Sequence, residues 1–193
     1  MCGRFVGYRK LGDYQDKFMI DLFEADLSPN YNVAPTQSIP AIVRQDDQNV
    51  LRAFRWGLIP FWAKDPSIGN RMINARSETV DSKPSFRTAF KKRRCLIPAD
   101  GFYEWKGPKG SRQPMYITVT NGEPFGFAGL WEYWDDKGKA EEPILSCTVL
   151  TTDASESIKE IHHRMPVILK PEAFGDWMQP ETSKPTDSGR LCQ

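Results

Sequence analysis

Between Cys95 and Thr151 the chain falls into short apolar runs, Cys95 to Pro98, Phe102 to Lys106, Pro114 to Thr120, Phe125 to Trp134 and Ile144 to Thr151, separated by breaks rich in Gly, Asp and Lys. That alternation predicts an antiparallel sheet or barrel as the core. Ile39 to Arg44 and Val50 to Trp56, flanking the polar stretch Gln45 to Asn49, predict a hairpin beside it. Leu11, Tyr14, Phe18 and Leu22 recur at steps of three and four residues, which predicts an amphipathic helix just after a short N-terminal strand. Pro60 to Asn74 lacks periodicity and reads as a loop. Further helices are expected over about Pro84 to Lys92, from a cap at Asp153 or Ser155 to about His162, and from Pro171 through Met178, with a strand from Met165 to Leu169. The fold class is therefore α/β in the mixed α+β sense, a single compact domain over residues 1–178 with a β-rich, barrel-like core and peripheral helices. Residues 179–193 are polar and without periodicity, and are expected to form a disordered tail.

Charge and cysteine usage exclude several classes. Lys and Arg total 26 against 25 Asp and Glu, a net charge of +1, so a nucleic-acid site must be local. The N-terminus lacks the apolar region of a signal peptide, and no run approaches the roughly 20 apolar residues of a membrane span, so a cytoplasmic protein is expected. Cys2, Cys95, Cys147 and Cys192 are far apart with no CxxC pair, which argues against a zinc ribbon or a thioredoxin motif. No metal or cofactor is expected. Cys95 and Cys147 sit in apolar runs and read as small buried hydrophobes, whereas Cys192 lies in the polar tail.

Cys2 directly follows the initiator Met1, and its small side chain permits removal of that residue. The product is a 1,2-aminothiol. Its α-amine, with a reference pKa near 8, is substantially neutral at physiological pH and can attack an aldehyde to form an imine, after which the thiol can close a thiazolidine ring. A penultimate cysteine can equally be an accident. His162 and His163 are the two histidines of the chain; a His shuttles protons near neutral pH, although an exposed pair often carries no role. Glu104 lies in the aromatic strand Gly101 to Trp105, either desolvated and suited to acid–base work or simply on the solvent face. Asn74 and Arg76 share a side if their stretch is extended, where they could bind sugar and phosphate or brace a loop. Arg4, Arg71 and the run Lys91 to Arg94, interleaved with Trp56, Phe61 and Trp62, could form a basic groove with aromatic platforms for single-stranded nucleic acid.

Met1 to Phe5, Tyr31 to Pro35, Trp56-Gly57, Asn74 to Thr79, Arg94 to Trp105 and His162 to Val167 occur in one order that resembles the SOS response-associated peptidase (SRAP) family, from Met1 to about Met178. The resemblance implies a single domain that binds abasic sites in single-stranded DNA and forms a covalent thiazolidine crosslink, shielding lesions near replication forks. It implies Cys2 as nucleophile, Asn74 and Glu104 beside the sugar, and His162 in proton transfer. Arg4, Arg71, Arg76, Arg164 and Trp62 would hold flanking DNA. A monomer without membrane association is expected, associated with the nucleoid when bound to DNA. Family members continue past the last helix with a segment that returns to the core, whereas Lys184 to Gln193 here has no such pattern. Two rival readings stand beside this one: a thiol peptidase or autoprotease using Cys2, and a noncovalent module for single-stranded DNA. A weak lyase activity is compatible with the main reading.

Overall fold

The computed structural model describes residues 2–26, 28–108, 110–119, 122–136 and 142–179. The N-terminal half contains β1 (Arg4–Gly7), α1 (Leu11–Phe18), β2 (Leu22–Phe23), β3 (Asn30–Val33), β4 (Ser38–Gln45), β5 (Gln48–Trp56), a 3-10 turn (Pro66–Arg71) and β6 (Asn74–Arg76). It is followed by α2 (Arg87–Lys92), β7 (Arg94–Ala99), β8 (Gly101–Lys106), β9 (Gln113–Ile117), β10 (Phe125–Trp134), β11 (Ile144–Asp153), β12 (Arg164–Pro166) and β13 (Ile168–Leu169). A 3-10 turn (Pro171–Ala173) then leads into α3 (Phe174–Met178), with Pro171 in the first turn as its fixed φ favours.

Five strands close on themselves in the order β11-β10-β7-β4-β5, and β5 meets β11 again. An odd ring cannot be antiparallel throughout. The one parallel junction is β5 against β11, pairing Arg55 with Ser146 and Trp56 with Cys147. Alternate residues of these strands feed two cores. Ile42, Leu51, Leu96, Leu130 and Leu150 pack with Tyr14 and Phe18 of α1 and with Phe174 and Trp177 of α3. Val43, Phe54, Ile97, Phe127 and Val149 pack with Cys2, Phe5 and Phe102 from a second sheet, ordered β3-β1-β8-β9.

The β4–β5 hairpin forms as expected but turns more tightly than a five-residue polar link. Asp46 and Asp47 take positive φ of 46° and 61°, the left-handed pair that a two-residue turn demands and that Asp tolerates. Helix α1 is shorter than the apolar spacing predicts. Met19 turns left-handed at φ 49°, Asn49 caps the free carbonyl of Met19 at 2.9 Å, and Leu22 passes into β2. The helix expected to run to His162 is replaced by successive turns, in which Ile161 and His162 both bond back to Ile158. Expectations for Thr120, Cys192 and the tail beyond Gln179 lie outside the described residues.

Candidate functional site

Cys2 enters the structure at the head of β1, the strand held between β3 and β8. Phe5 faces Val33 on one side and Phe102 on the other, and Arg4 faces Tyr103. These apolar partners pin the N-terminal strand in the second core, so Cys2 is fully buried. Asp100, between β7 and β8, reinforces the far end of β1. Its buried carboxylate accepts from the backbone N–H of Tyr8 at 2.7 Å, Nε of Arg9 at 2.9 Å and the Tyr14 hydroxyl at 2.7 Å. Gly101 beside it leaves room for the Tyr116 ring, which a Cβ there would meet at 2.4 Å.

Strand β11 gathers the rest. Across its ten residues one edge serves β5 and then β6, and the other serves β10 and then β12. Asn74 stands opposite Val149 and Arg76 opposite Thr151. The Asn74 amide Nδ2 donates to the carbonyl of Cys2 at 2.9 Å. Its Oδ1 is buried with no hydrogen-bond partner among the described residues, an acceptor turned into the site. Glu104 is 2% exposed, so it lies on the inner face of β8 rather than toward solvent. Burial first, and the Glu104 carboxylate second, push the Cys2 thiol up to about 12. The thiol is therefore protonated at neutral pH, with its Sγ 3.8 Å from the Arg4 carbonyl. His162, half-buried just before β12, has Nδ1 at 3.0 Å from the backbone N of Arg164, and its ring stacks on His163 with centroids 4.4 Å apart.

The family model of the SOS response associated peptidase (SRAP) matches residues 1–193. The chain is 46% identical over 197 residues to YoqW of Bacillus subtilis, an abasic site processing protein, covering 100% of this chain and 87% of that one. It is 46% identical over 188 residues to YoaM of the same organism, also an abasic site processing protein, covering 96% and 82%. A crystal structure of a Bordetella bronchiseptica protein superposes with a TM-score of 0.78 at 29% identity, covering 93% of this chain and 89% of that one. The chain belongs to the SRAP family.

In this SRAP protein, Cys2 and Asn74 are brought into direct contact, with Glu104 close enough to act on the thiol. Trp62 and Arg71 line one shallow depression of about 380 Å³, together with Lys64 and Ile68. Trp62 and Arg76 are exposed. Arg164 departs from the DNA-contacting place expected of it. It is 5% exposed, and its guanidinium is taken up by Glu78, Asp153 and the Thr151 carbonyl. The Lys91 to Arg94 run also divides. Arg93 pairs with Glu132 at 2.7 Å, and Arg94 lies 5.3 Å from the Trp177 ring centre, so both serve packing. Trp56 is buried, with Nε1 donating to the Ile73 carbonyl. Cys95 and Cys147 are buried, and burial holds both thiols well above their usual range.

Sequence reasoning assigned no role to Glu78 or Asp100. Each carried a signal: Glu78 continues the alternation Asn74, Arg76, Glu78, and Asp100 interrupts the apolar run Leu96 to Phe102. Among the described residues no group of three His, Cys, Asp or Glu is placed to hold a metal, and no helix is long and apolar enough to cross a membrane.

Proposed function

We propose that this protein captures abasic sites in single-stranded DNA through Cys2 once Met1 has been removed, forming a covalent thiazolidine that shields the lesion. The observation that carries the reading is the junction of three elements on one residue: Cys2 at the head of β1, its carbonyl held by Asn74, and Glu104 buried beside its thiol. The abasic sugar exists mostly as a closed hemiacetal. Glu104 takes the proton of the anomeric hydroxyl and returns it to the ring oxygen as the bond between that oxygen and the anomeric carbon breaks and the aldehyde forms, and the orphaned Oδ1 of Asn74 accepts from a sugar hydroxyl.

The α-amine of Cys2 then adds to the aldehyde carbon, and the carbinolamine loses water with a proton supplied by His162. The resulting iminium carbon takes the Cys2 sulfur. A C–S bond forms, the S–H proton returns to a base, and the nitrogen stays in the ring as a neutral amine. Overall, aminothiol plus aldehyde gives thiazolidine plus one water. Arg4, Arg71 and Arg76 hold flanking phosphates and Trp62 stacks on a base. The protonated thiol suits this order of events and disfavours a thiol peptidase, which needs the thiolate as nucleophile.

Incubating trimmed protein with an abasic single-stranded oligonucleotide tests the proposal. A band that survives denaturing electrophoresis is expected, its intact mass equal to protein plus DNA minus one water, and Cys2→Ala removes it. No such species from protein shown by mass to lack Met1 overturns the reading.

A further inference from the structure

Strand β6 and the two residues after it connect both ends of the candidate site. At its start, Asn74 holds the Cys2 carbonyl. Four residues on, Glu78 grips the Arg164 guanidinium at two points, Oε1 to Nη1 at 2.7 Å and Oε2 to Nη2 at 2.9 Å. Nη1 also reaches Asp153 at 2.6 Å, and Nη2 donates to the Thr151 carbonyl at 2.7 Å. Such a fork fixes orientation as well as position. The backbone of the residue so fixed frames the imidazole of His162: Nδ1 lies 3.0 Å from the N–H nitrogen of Arg164 and 3.0 Å from its carbonyl oxygen.

Those two backbone groups have opposite polarity. When Nδ1 of the neutral ring accepts from the Arg164 N–H, the single ring proton sits on Nε2; in the other neutral tautomer, the one left when an imidazolium gives up its Nε2 proton, Nδ1–H donates to the Arg164 carbonyl. In the imidazolium Nδ1–H donates to the Arg164 carbonyl. Nδ1 keeps a backbone partner in either state without moving the ring, provided the Arg164 backbone stays where Glu78 and Asp153 anchor it, while the Arg164 N–H is paired only when Nδ1 accepts. The stacked ring of His163 limits rotation further. On the carboxylate side, Arg164 above all, and Arg76 to a lesser degree, hold the Glu78 carboxyl below its ordinary value, so the anchor remains charged through the neutral range.

We propose that Glu78, acting through Arg164, is a positioning residue that keeps Nδ1 of His162 on the Arg164 backbone and so makes Nε2 the nitrogen that gives and takes the proton during adduct formation. The inference rests on the reading of His162 as the proton-transfer group. The imidazolium delivers its Nε2 proton to the departing hydroxyl of the carbinolamine; the C–O bond breaks, water leaves and the iminium forms. The neutral ring, its proton now on Nδ1, recovers one at Nε2 when the thiol adds to the iminium carbon. The proton count closes with His162 back in its starting state.

The test joins a spectroscopic and a kinetic readout. With two histidines in the chain, 15N-labelled ring spectra are simple, and His163→Gln assigns them. In its neutral form, wild-type His162 is expected as one tautomer, with Nε2 protonated and Nδ1 accepting from the Arg164 N–H. Glu78→Gln is expected to give a mixture of tautomers and to slow adduct formation about tenfold, part of what a general acid supplies, with noncovalent affinity for the same oligonucleotide unchanged. Glu78→Asp should restore both readouts in part. Asp153→Asn should give a smaller change of the same sign and serves if Glu78→Gln does not fold. A folded variant with the wild-type tautomer and the wild-type rate overturns the inference. If wild-type protein forms no adduct at all, the proposed function fails, while the tautomer spectra still report whether Glu78 holds the imidazole.

Discussion

The side-chain amide of Asn74 donates to the carbonyl of Cys2 at 2.9 Å, a bond between residues 72 apart in sequence that joins a strand of the second sheet to one on the edge of the barrel. Removing the donor leaves the Cys2 carbonyl without this partner. Asn74→Ala should lose about 1 kcal/mol of positioning, roughly a fivefold fall in the rate of adduct formation. Asn74→Asp should fall further, because it sets an acceptor against an acceptor. A time course on denaturing gels checks the order, and a smaller loss for Asp than for Ala contradicts the geometry.

The Cys2 thiol sits at about 12 against an ordinary 9.0, mainly through burial and then through Glu104. A value raised on folding stabilises the fold fully below the unfolded value, and that contribution is lost as pH rises from 9.0 toward about 12. Urea midpoints from about pH 8 to about pH 11 should therefore fall less steeply in Cys2→Ala than in the parent chain. Glu104→Gln should lower the thiol and speed its alkylation at a given pH. An unchanged alkylation profile in Glu104→Gln would show that the carboxylate does not reach the sulfur.

Two paired arginines, Arg93 and Arg164, should respond differently to truncation. The Arg93 partner Glu132 has a side chain only 3% exposed, so Arg93→Met strands a buried carboxylate and should cost about 3–5 kcal/mol. The Arg164 partners Glu78 and Asp153 keep 44% and 87% exposure, so Arg164→Met leaves no buried charge and should cost about 1–2 kcal/mol, chiefly the lost bond to Thr151. Chemical denaturation of both variants decides the ranking.

Trp62 is 47% exposed, so Trp62→Ala should leave stability nearly unchanged while weakening binding of single-stranded DNA by about 1–3 kcal/mol. Arg76→Gln should instead reduce the salt dependence of binding, by about one unit if one phosphate contact is lost. Fluorescence anisotropy across a salt series separates the two effects. Equal salt slopes for Arg76→Gln and the parent chain would remove Arg76 from the phosphate path.

The strands were legible because their signal is local: Phe125–Trp134 forms as the apolar run predicts, and Ile144–Asp153 extends it by two residues. The parallel contacts of β2, β5 and β6 were not, since nothing in Leu22–Phe23 or Asn74–Arg76 names a distant partner. Glu104 could be placed on neither face of its strand by alternation alone; the choice follows from Phe102, which shares its face and packs against Phe5 and Phe127. For Arg164, the family resemblance implied a contact with DNA. Burial beside Glu78 and Asp153 depends on tertiary neighbours 86 and 11 residues away. The turns before His162 defeated a helix prediction that rested on a capping residue without a continuous apolar stripe.

Burial of Cys2 between strands that arrive later in the chain imposes an order on biosynthesis. Its neighbours on β3 and β8 emerge from the ribosome only after residues 30–33 and 101–106 have been translated. Until then the nascent terminus is unpaired and open to an aminopeptidase; afterwards the peptide bond to be cut adjoins a fully enclosed residue. On the proposed function, trimming of Met1 is therefore expected while the chain is still being translated. Protein refolded with its initiator still attached should resist added aminopeptidase, a result that intact mass reads directly.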